Sequence, residues 1–193
     1  INIFSTFGDL KSMEYFLKLN PFAFKVSSGL LNHFPLLSEL LKLPQPLLIS
    51  TGLANNEDLK ILKKMITSSK KKNISILHCI SSYPTKKEFV NLDYIKYLEN
   101  YFKLPIGYSD HTQSINIPAL SVMAGAVIIE KHFTIDSSAN GYDHKISLNP
   151  LKFERMVKSI RNYEKLLLDK DFTNLKKKNR FRYARCIVAK KNL

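Results

Sequence analysis

Six short apolar runs punctuate the chain, each nearly continuous in hydrophobicity: INIFST, FAFKVSS, PLLIST, ISILHCIS, LPIGYSD and AVIIEKHF. Continuous runs of this kind suit parallel strands buried on both faces. Between them, apolar residues recur with helical spacing, which predicts helices over residues 10–19, 36–43, 56–68, 92–101 and 117–125. Asn56, Glu57 and Asp58 place capping and acidic types at one helix start, where they suit the dipole. Pro118 stands near the start of its helix, where a missing N–H costs little. Residues 151–169, LKFERMVKSIRNYEKLLLD, close the series as an amphipathic helix.

Strand alternating with helix is a β/α pattern, which a doubly wound sheet and a barrel both satisfy. The polar residues separate the two. Ser5, Thr6, Ser28, Ser50, Thr51, Tyr83, Ser109, Asp110, His111 and His132 all fall at the C-terminal ends of their runs. In a (β/α)8 barrel that rim is the active face, whereas an open sheet uses its strand ends only near a switch point. Polar chemistry after all six runs favours the barrel, although a full barrel needs two more strands. From Lys170 onward the sequence is basic and aperiodic, as a linker is, and ARCIVAKKNL then reads as the first strand of a further unit. The expected division is 1–169 for the partial barrel and 170–193 for the linker and the start of a second domain.

Length and composition add limits. A chain of 193 residues suggests one domain, or one plus a fragment of another. No apolar run approaches the roughly 20 residues needed to span a bilayer, and the first residues do not read as a signal peptide. Two distant cysteines, Cys79 and Cys186, make no disulfide framework and suit a reducing cytoplasm. The net charge is +14 and the pI about 9.7. The lysines are scattered along helical stretches such as LKILKKMITSSKKK and are not interleaved with aromatics. A solvated helical face explains them better than a nucleic-acid platform.

At the strand ends, two histidines on consecutive strands can converge on one divalent ion, since neighbouring strands lie about 4.8 Å apart. Two protein ligands leave positions open for water or substrate, as a Lewis-acid site requires and a closed structural zinc site does not. Asp110 is placed to orient a ligand from behind. Lys25 is an inward candidate in an apolar strand, where a buried cation needs a counter-charge or an anionic ligand. Ser28, Ser50 and Thr51 offer hydroxyl donors, and Gly29 and Gly52 beside them allow close backbone approach. Together they resemble a carboxylate or phosphate cradle. In NGYDHKISLNP, Asn-Gly marks a turn and sets Asp143 and His144 on a loop above the barrel mouth. There Asp143 could bind sugar hydroxyls or be a solvated acid. Cys79 reads as a buried thiol rather than a nucleophile.

The motifs STGLA, LHCISSYPTKKEFVNL, GYSDHT, IIEKHFTID and GYDHKISLNP occur in this order. Together they resemble the sialic acid synthase family, the N-acetylneuraminate synthases and their legionaminic and pseudaminic acid relatives. The resemblance implies a (β/α)8 barrel followed by a small antifreeze-like (SAF) domain, and a homodimeric full-length protein. It implies condensation of phosphoenolpyruvate with an N-acetylated hexosamine, giving a nine-carbon keto-acid sugar and phosphate. His111 and His132 would hold a divalent metal, manganese or magnesium, to polarise the sugar aldehyde and position a water. Thr6, Lys25, Ser28, Ser50 and Ser109 would contact phosphoenolpyruvate, and Ser81, Tyr83 and Asp143 the sugar or intermediate.

The sequence also departs from the family pattern. Leu30 stands where N-acetylneuraminate synthases often carry a glutamate, and Ser81 where an asparagine is common; both bear on sugar specificity. Tyr142 replaces the proline of GPDH, while Asp143-His144-Lys145 resembles the GPDHKASL branch more than the pseudaminic branch. INIFST resembles the third barrel strand, so strands 3–8 are expected here without strands 1 and 2, and ARCIVAKKNL resembles the entry to the antifreeze-like domain. Such a fragment is expected to expose a hydrophobic flank and, alone, to lack full activity. Other readings are a metal-dependent aldolase or another phosphoenolpyruvate-using sugar-acid synthase, and a split subunit that only binds a partner.

Overall fold

The computed structural model describes residues 2–167. Five strands form one sheet: β1 (Phe24–Val26), β2 (Leu47–Ser50), β3 (Ile74–Cys79), β4 (Ile106–Asp110) and β5 (Ile128–Lys131). Every neighbouring pair is parallel and sequential, in the order β1-β2-β3-β4-β5. Helices alternate with them: α1 (Leu10–Leu17), α2 (Phe34–Lys42), α3 (Asn56–Ser68), α4 (Asp93–Phe102), α5 (Asn116–Met123) and α6 (Pro150–Leu167).

Six strands were expected, and five are present among the described residues. The first run contributes only a parallel bridge, Ser5 to Phe24. Ile3 and Phe4 are exposed, so nothing holds their backbone in a longer ladder. The linker and ARCIVAKKNL, and with them the expected second domain, lie outside the described residues.

The sheet is strongly curved. Lys25 on β1 and Glu130 on β5 sit on opposite edges, yet their side chains meet at 3.1 Å. Four strand spacings laid flat would separate those strands by about 19 Å, more than two such side chains can bridge. The curvature turns one face inward, as in half a barrel. The central strands are buried on both faces, β4 along its whole length, which explains their continuous hydrophobicity. Gly107 permits this packing: a Cβ there would lie 2.3 Å from Leu77 Cδ2 and 2.9 Å from the Ile128 carbonyl oxygen.

The helices cover the outer face through one apolar stripe each. On α2, Leu36, Leu37 and Leu40 are almost completely buried, each worth about 1.5–3 kcal/mol on leaving water. Local signals fix the ends. Asn55 accepts from the backbone of Glu57 and Asp58, while Asp58 accepts from the Asn55 N–H, a reciprocal cap on α3. Lys103 closes α4 in the left-handed region, its N–H bonded to the Glu99 carbonyl. A second cluster, Ala119 and Val122 with Leu148, Met156 and Ile160, seats α6 on α5.

Candidate active site

The strand ends bring most of the expected residues into one crevice on the concave side. Residues alternate across the strand, so Ser109 faces inward and Asp110 outward. Ser109 donates to Glu130 Oε1 at 2.6 Å, and Glu130 also accepts from Lys25 Nζ at 3.2 Å. The inward lysine therefore has a counter-charge, and Ser109, Glu130 and Lys25 form one chain of contacts across the mouth.

Beside it stand the histidines. His111 Nδ1 lies 2.7 Å from the Ile80 carbonyl oxygen, an acceptor, so this nitrogen carries the proton. Nε2 then holds a lone pair. Its nearest polar neighbour, Ser109 Oγ at 3.4 Å, already donates to Glu130, which leaves that lone pair free for a ligand. Burial holds the His111 imidazole below its usual pKa, with the neighbouring His132 adding to the effect and the Ile80 carbonyl opposing it. The ring of His132 lies 5.4 Å from that of His111, edge to face. Tyr83 covers both, at 4.3 Å from His111 and 6.0 Å from His132. Asp143, on the loop after β5, places Oδ2 3.6 Å from His132 Nδ1.

The third part is a hydroxyl-lined recess. Ser28 Oγ accepts from the Gly52 N–H at 2.9 Å and touches Cys79 Sγ at 3.2 Å. Ser81 Oγ crowds the same point, lying 2.6 Å from where a Gly52 Cβ would stand. Ser50 Oγ is buried without a hydrogen-bond partner among the described residues. A hydroxyl at this strand end is a hydrogen-bond donor and acceptor that a bound anion could engage.

Two expected members stand apart. Thr51 donates its hydroxyl to the Leu77 carbonyl at 3.2 Å, so it braces the strands instead of lining the recess. Thr6 is exposed, and its carbonyl accepts from Ser5. Glu130 went unread in the sequence because it interrupts an apolar run; that interruption, Glu-Lys inside AVIIEKHF, was the available signal. His78 is also buried here, but its Nε2 lies 3.0 Å from the Val90 carbonyl on the helix-covered face.

His111 and His132 are the two groups of the crevice that could hold a divalent ion, their rings 5.4 Å apart. Among the described residues, no group of three or more His, Cys, Asp or Glu gathers as a metal cluster. That excludes a closed cage within them and leaves an open pair of imidazoles. The crevice is also distinct from a cavity of about 830 Å³ at the opposite ends of the strands, lined by Lys42, Lys64, Lys70, Lys71 and Lys72. Helix α2 ends there with Lys42 in its last turn, where it suits the dipole, and Lys71 donates to the carbonyl oxygens of Leu43 and Gln45 in the loop that follows.

Comparison with known proteins adds the family. Residues 1–171 match the NeuB family. The chain is 38% identical to the N,N'-diacetyllegionaminic acid synthase of Campylobacter jejuni over 199 residues, covering 100% of this chain and 59% of that protein. It superposes on the N-acetylneuraminic acid (sialic acid) synthetase of Leptospira borgpetersenii, solved with citrate, with a TM-score of 0.86 and 28% identity. That match covers 96% of this chain and 67% of the other. A truncated 3-deoxy-D-arabino-heptulosonate 7-phosphate synthase from Thermotoga maritima shares the fold alone, at TM-score 0.65 and 17% identity, over 86% of this chain and 65% of that one. The chain spans about half the length of the curated relatives it matches. Motif order, strand-end geometry and these matches agree: this chain belongs to the NeuB family.

Proposed function

We propose that the whole protein condenses phosphoenolpyruvate with an N-acetylated hexosamine of the N-acetylmannosamine type, releasing phosphate and a nine-carbon keto-acid sugar. The observation that supports this most is the pairing of the His111 and His132 rings at the same strand ends as the recess of Ser28, Gly52 and Ser81. A metal-assisted carbonyl addition needs the first feature and an anionic co-substrate the second.

The chain's residues divide the work. Lys25, Ser28, Ser50 and Ser109 take the carboxylate and phosphate oxygens of phosphoenolpyruvate; Lys25 has a third N–H to offer beyond its two contacts with Glu130. Thr6 joins them only if the exposed segment around it folds over the ligand. A divalent ion, Mn2+ or Mg2+, at His111 and His132 supplies Lewis-acid polarisation of a carbonyl oxygen. Tyr83, Ser81 and Asp143 border the space for the sugar, and Tyr83 shields the imidazoles from water. In the reaction the enol carbon bonds to the aldehyde carbon, whose oxygen takes a proton. Water adds to the resulting oxocarbenium carbon. The C–O bond to phosphate then breaks, phosphate departs with the bridging oxygen, and loss of the hydroxyl proton leaves the ketone.

A diacetamido hexose, the legionaminic type of acceptor, is the second reading. It is favoured by the relationship to the Campylobacter enzyme across the whole chain and by an apolar residue at Leu30, in the turn Ser28–Leu30. Phosphate release and product mass, measured on the whole protein with phosphoenolpyruvate, Mn2+ and each acceptor, test both. A nine-carbon product with N-acetylmannosamine supports the first, and one with the diacetamido sugar alone the second. No turnover with any N-acylated hexose by the folded protein refutes both.

A further inference from the structure

Behind the two histidines, on the outward face, lies a polar knot that the reaction itself does not use. Asp110 and Lys131 are register partners on β4 and β5, each one residue before a histidine. Their side chains are 0% and 1% exposed and meet at 2.6 Å. Asp110 Oδ1 accepts from Tyr108 OH at 3.1 Å and from the Thr112 N–H at 3.2 Å. Oδ2 accepts from Thr112 Oγ1 at 2.9 Å as well as from Lys131. Each carboxylate oxygen thus holds two donors. Lys131 also donates to the Thr112 carbonyl oxygen.

Stability alone does not require such a pair, since buried ion pairs are often replaceable by packed apolar residues at no loss. What an apolar pair lacks is direction. From β5, Lys131 grips β4 on both sides of His111, at Asp110 before it and at Thr112 after it. The Thr85 N–H holds the His111 carbonyl at 3.0 Å, and the Ile80 carbonyl holds the ring. The backbone that carries His132 is therefore tied to the backbone that carries His111 through two ionic groups.

We infer that the Asp110–Lys131 pair sets the separation of the two imidazoles, so that both are positioning residues for a divalent ion. The inference rests on the metal reading above. Groups behind metal ligands, when removed, commonly cost about 10- to 100-fold in metal affinity.

The test is Mn2+ titration of the whole protein by electron paramagnetic resonance, with pulsed detection of coupled ligand nitrogens and circular dichroism of the metal-free form. The double variant Asp110→Asn, Lys131→Met removes both charges without leaving one buried alone, and the introduced carboxamide keeps an acceptor for Tyr108 and Thr112. The expected result is a folded protein whose Mn2+ dissociation constant rises at least about tenfold, with one coupled imidazole nitrogen where the wild type shows two. If the double variant does not fold, Lys131→Arg keeps the charge but replaces a compact ammonium with a planar fork, and the same two readouts apply. A folded variant with wild-type affinity and two coupled nitrogens overturns the inference. Wild-type protein that binds no Mn2+ overturns the metal reading itself, a distinct result.

Discussion

Gly52→Ala adds a single methyl group at the centre of the recess. The backbone at Gly52 lies outside the left-handed region, so an alanine meets no conformational penalty and its cost is steric. The new Cβ would stand 2.6 Å from Cys79 Sγ, 2.6 Å from Ser81 Oγ and 3.0 Å from Ser28 Oγ. Cys79 and Ser81 must each retreat by about 0.8 Å to reach ordinary contact. The serines can rotate, but Cys79 is 3% exposed at the end of a central strand and has little room. Overpacking of this kind costs about 1–3 kcal/mol. Moving Ser28 also strains its 2.9 Å bond from the Gly52 N–H, a further ~1 kcal/mol. The expected loss is about 2–4 kcal/mol by chemical denaturation. Because one displaced hydroxyl, Ser28, is assigned to phosphoenolpyruvate and the other, Ser81, to the sugar, the KM for phosphoenolpyruvate should rise at least about tenfold, the equivalent of ~1.4 kcal/mol, and that for the sugar should rise with it, with kcat less affected. Gly29→Ala is the control: nothing lies within 4 Å of its Cβ, and no steric loss is expected. A Gly52→Ala protein with unchanged stability and unchanged KM would show that the recess is neither tight nor occupied as described.

Three further outcomes are expected. Gly107→Ala drives a Cβ into the Ile128 backbone at 2.9 Å; its midpoint in urea should fall by more than that of Gly52→Ala, since backbone cannot rotate aside. Lys25→Met removes the cation that Glu130 faces, so phosphoenolpyruvate affinity by calorimetry should fall at least about tenfold, while stability changes by about 1–2 kcal/mol because Glu130 keeps Ser109 and is partly solvated. Burial holds His78 below its ordinary pKa of 6.5, against the pull of the Val90 carbonyl. The unfolded chain therefore takes up the proton first, and stability should decline as pH drops below about 6.5 and level off beneath the folded value. His78→Asn should remove part of that limb, leaving the share of His111, whose imidazole burial also holds low, and an unchanged limb would assign it elsewhere.

Much of this architecture was legible because it is written locally. Helix α3 runs over the same residues that periodicity and capping types mark, 56–68, since an amphipathic stripe and its cap lie within one stretch of chain. The central strands β3 and β4 were legible as continuous apolar runs because both of their faces are covered. The first run, INIFST, failed as a strand because a strand exists only with a partner along its length, and its composition does not record one. In the site, Asp110 was legible as a group behind the histidines, while the alternation that faces Ser109 inward and Asp110 outward comes from the strand itself. The partner of Lys25 was not legible: Glu130 lies 105 residues away, and curvature of the whole sheet brings them together. Lys131 was hidden for the same reason, because its role comes from cross-strand register. Asp143 could be set on a loop by its turn, but its approach to His132 depends on how the loop folds back.

The most direct measurement is phosphate release from phosphoenolpyruvate by the whole protein, stripped of metal and then reloaded with Mn2+, with and without an N-acetylated hexosamine. Release that requires both the metal and the sugar, and that is lost in His111→Ala and His132→Ala proteins that remain folded, is the predicted result. Release that persists after stripping, or that is untouched by loss of either histidine, would contradict it.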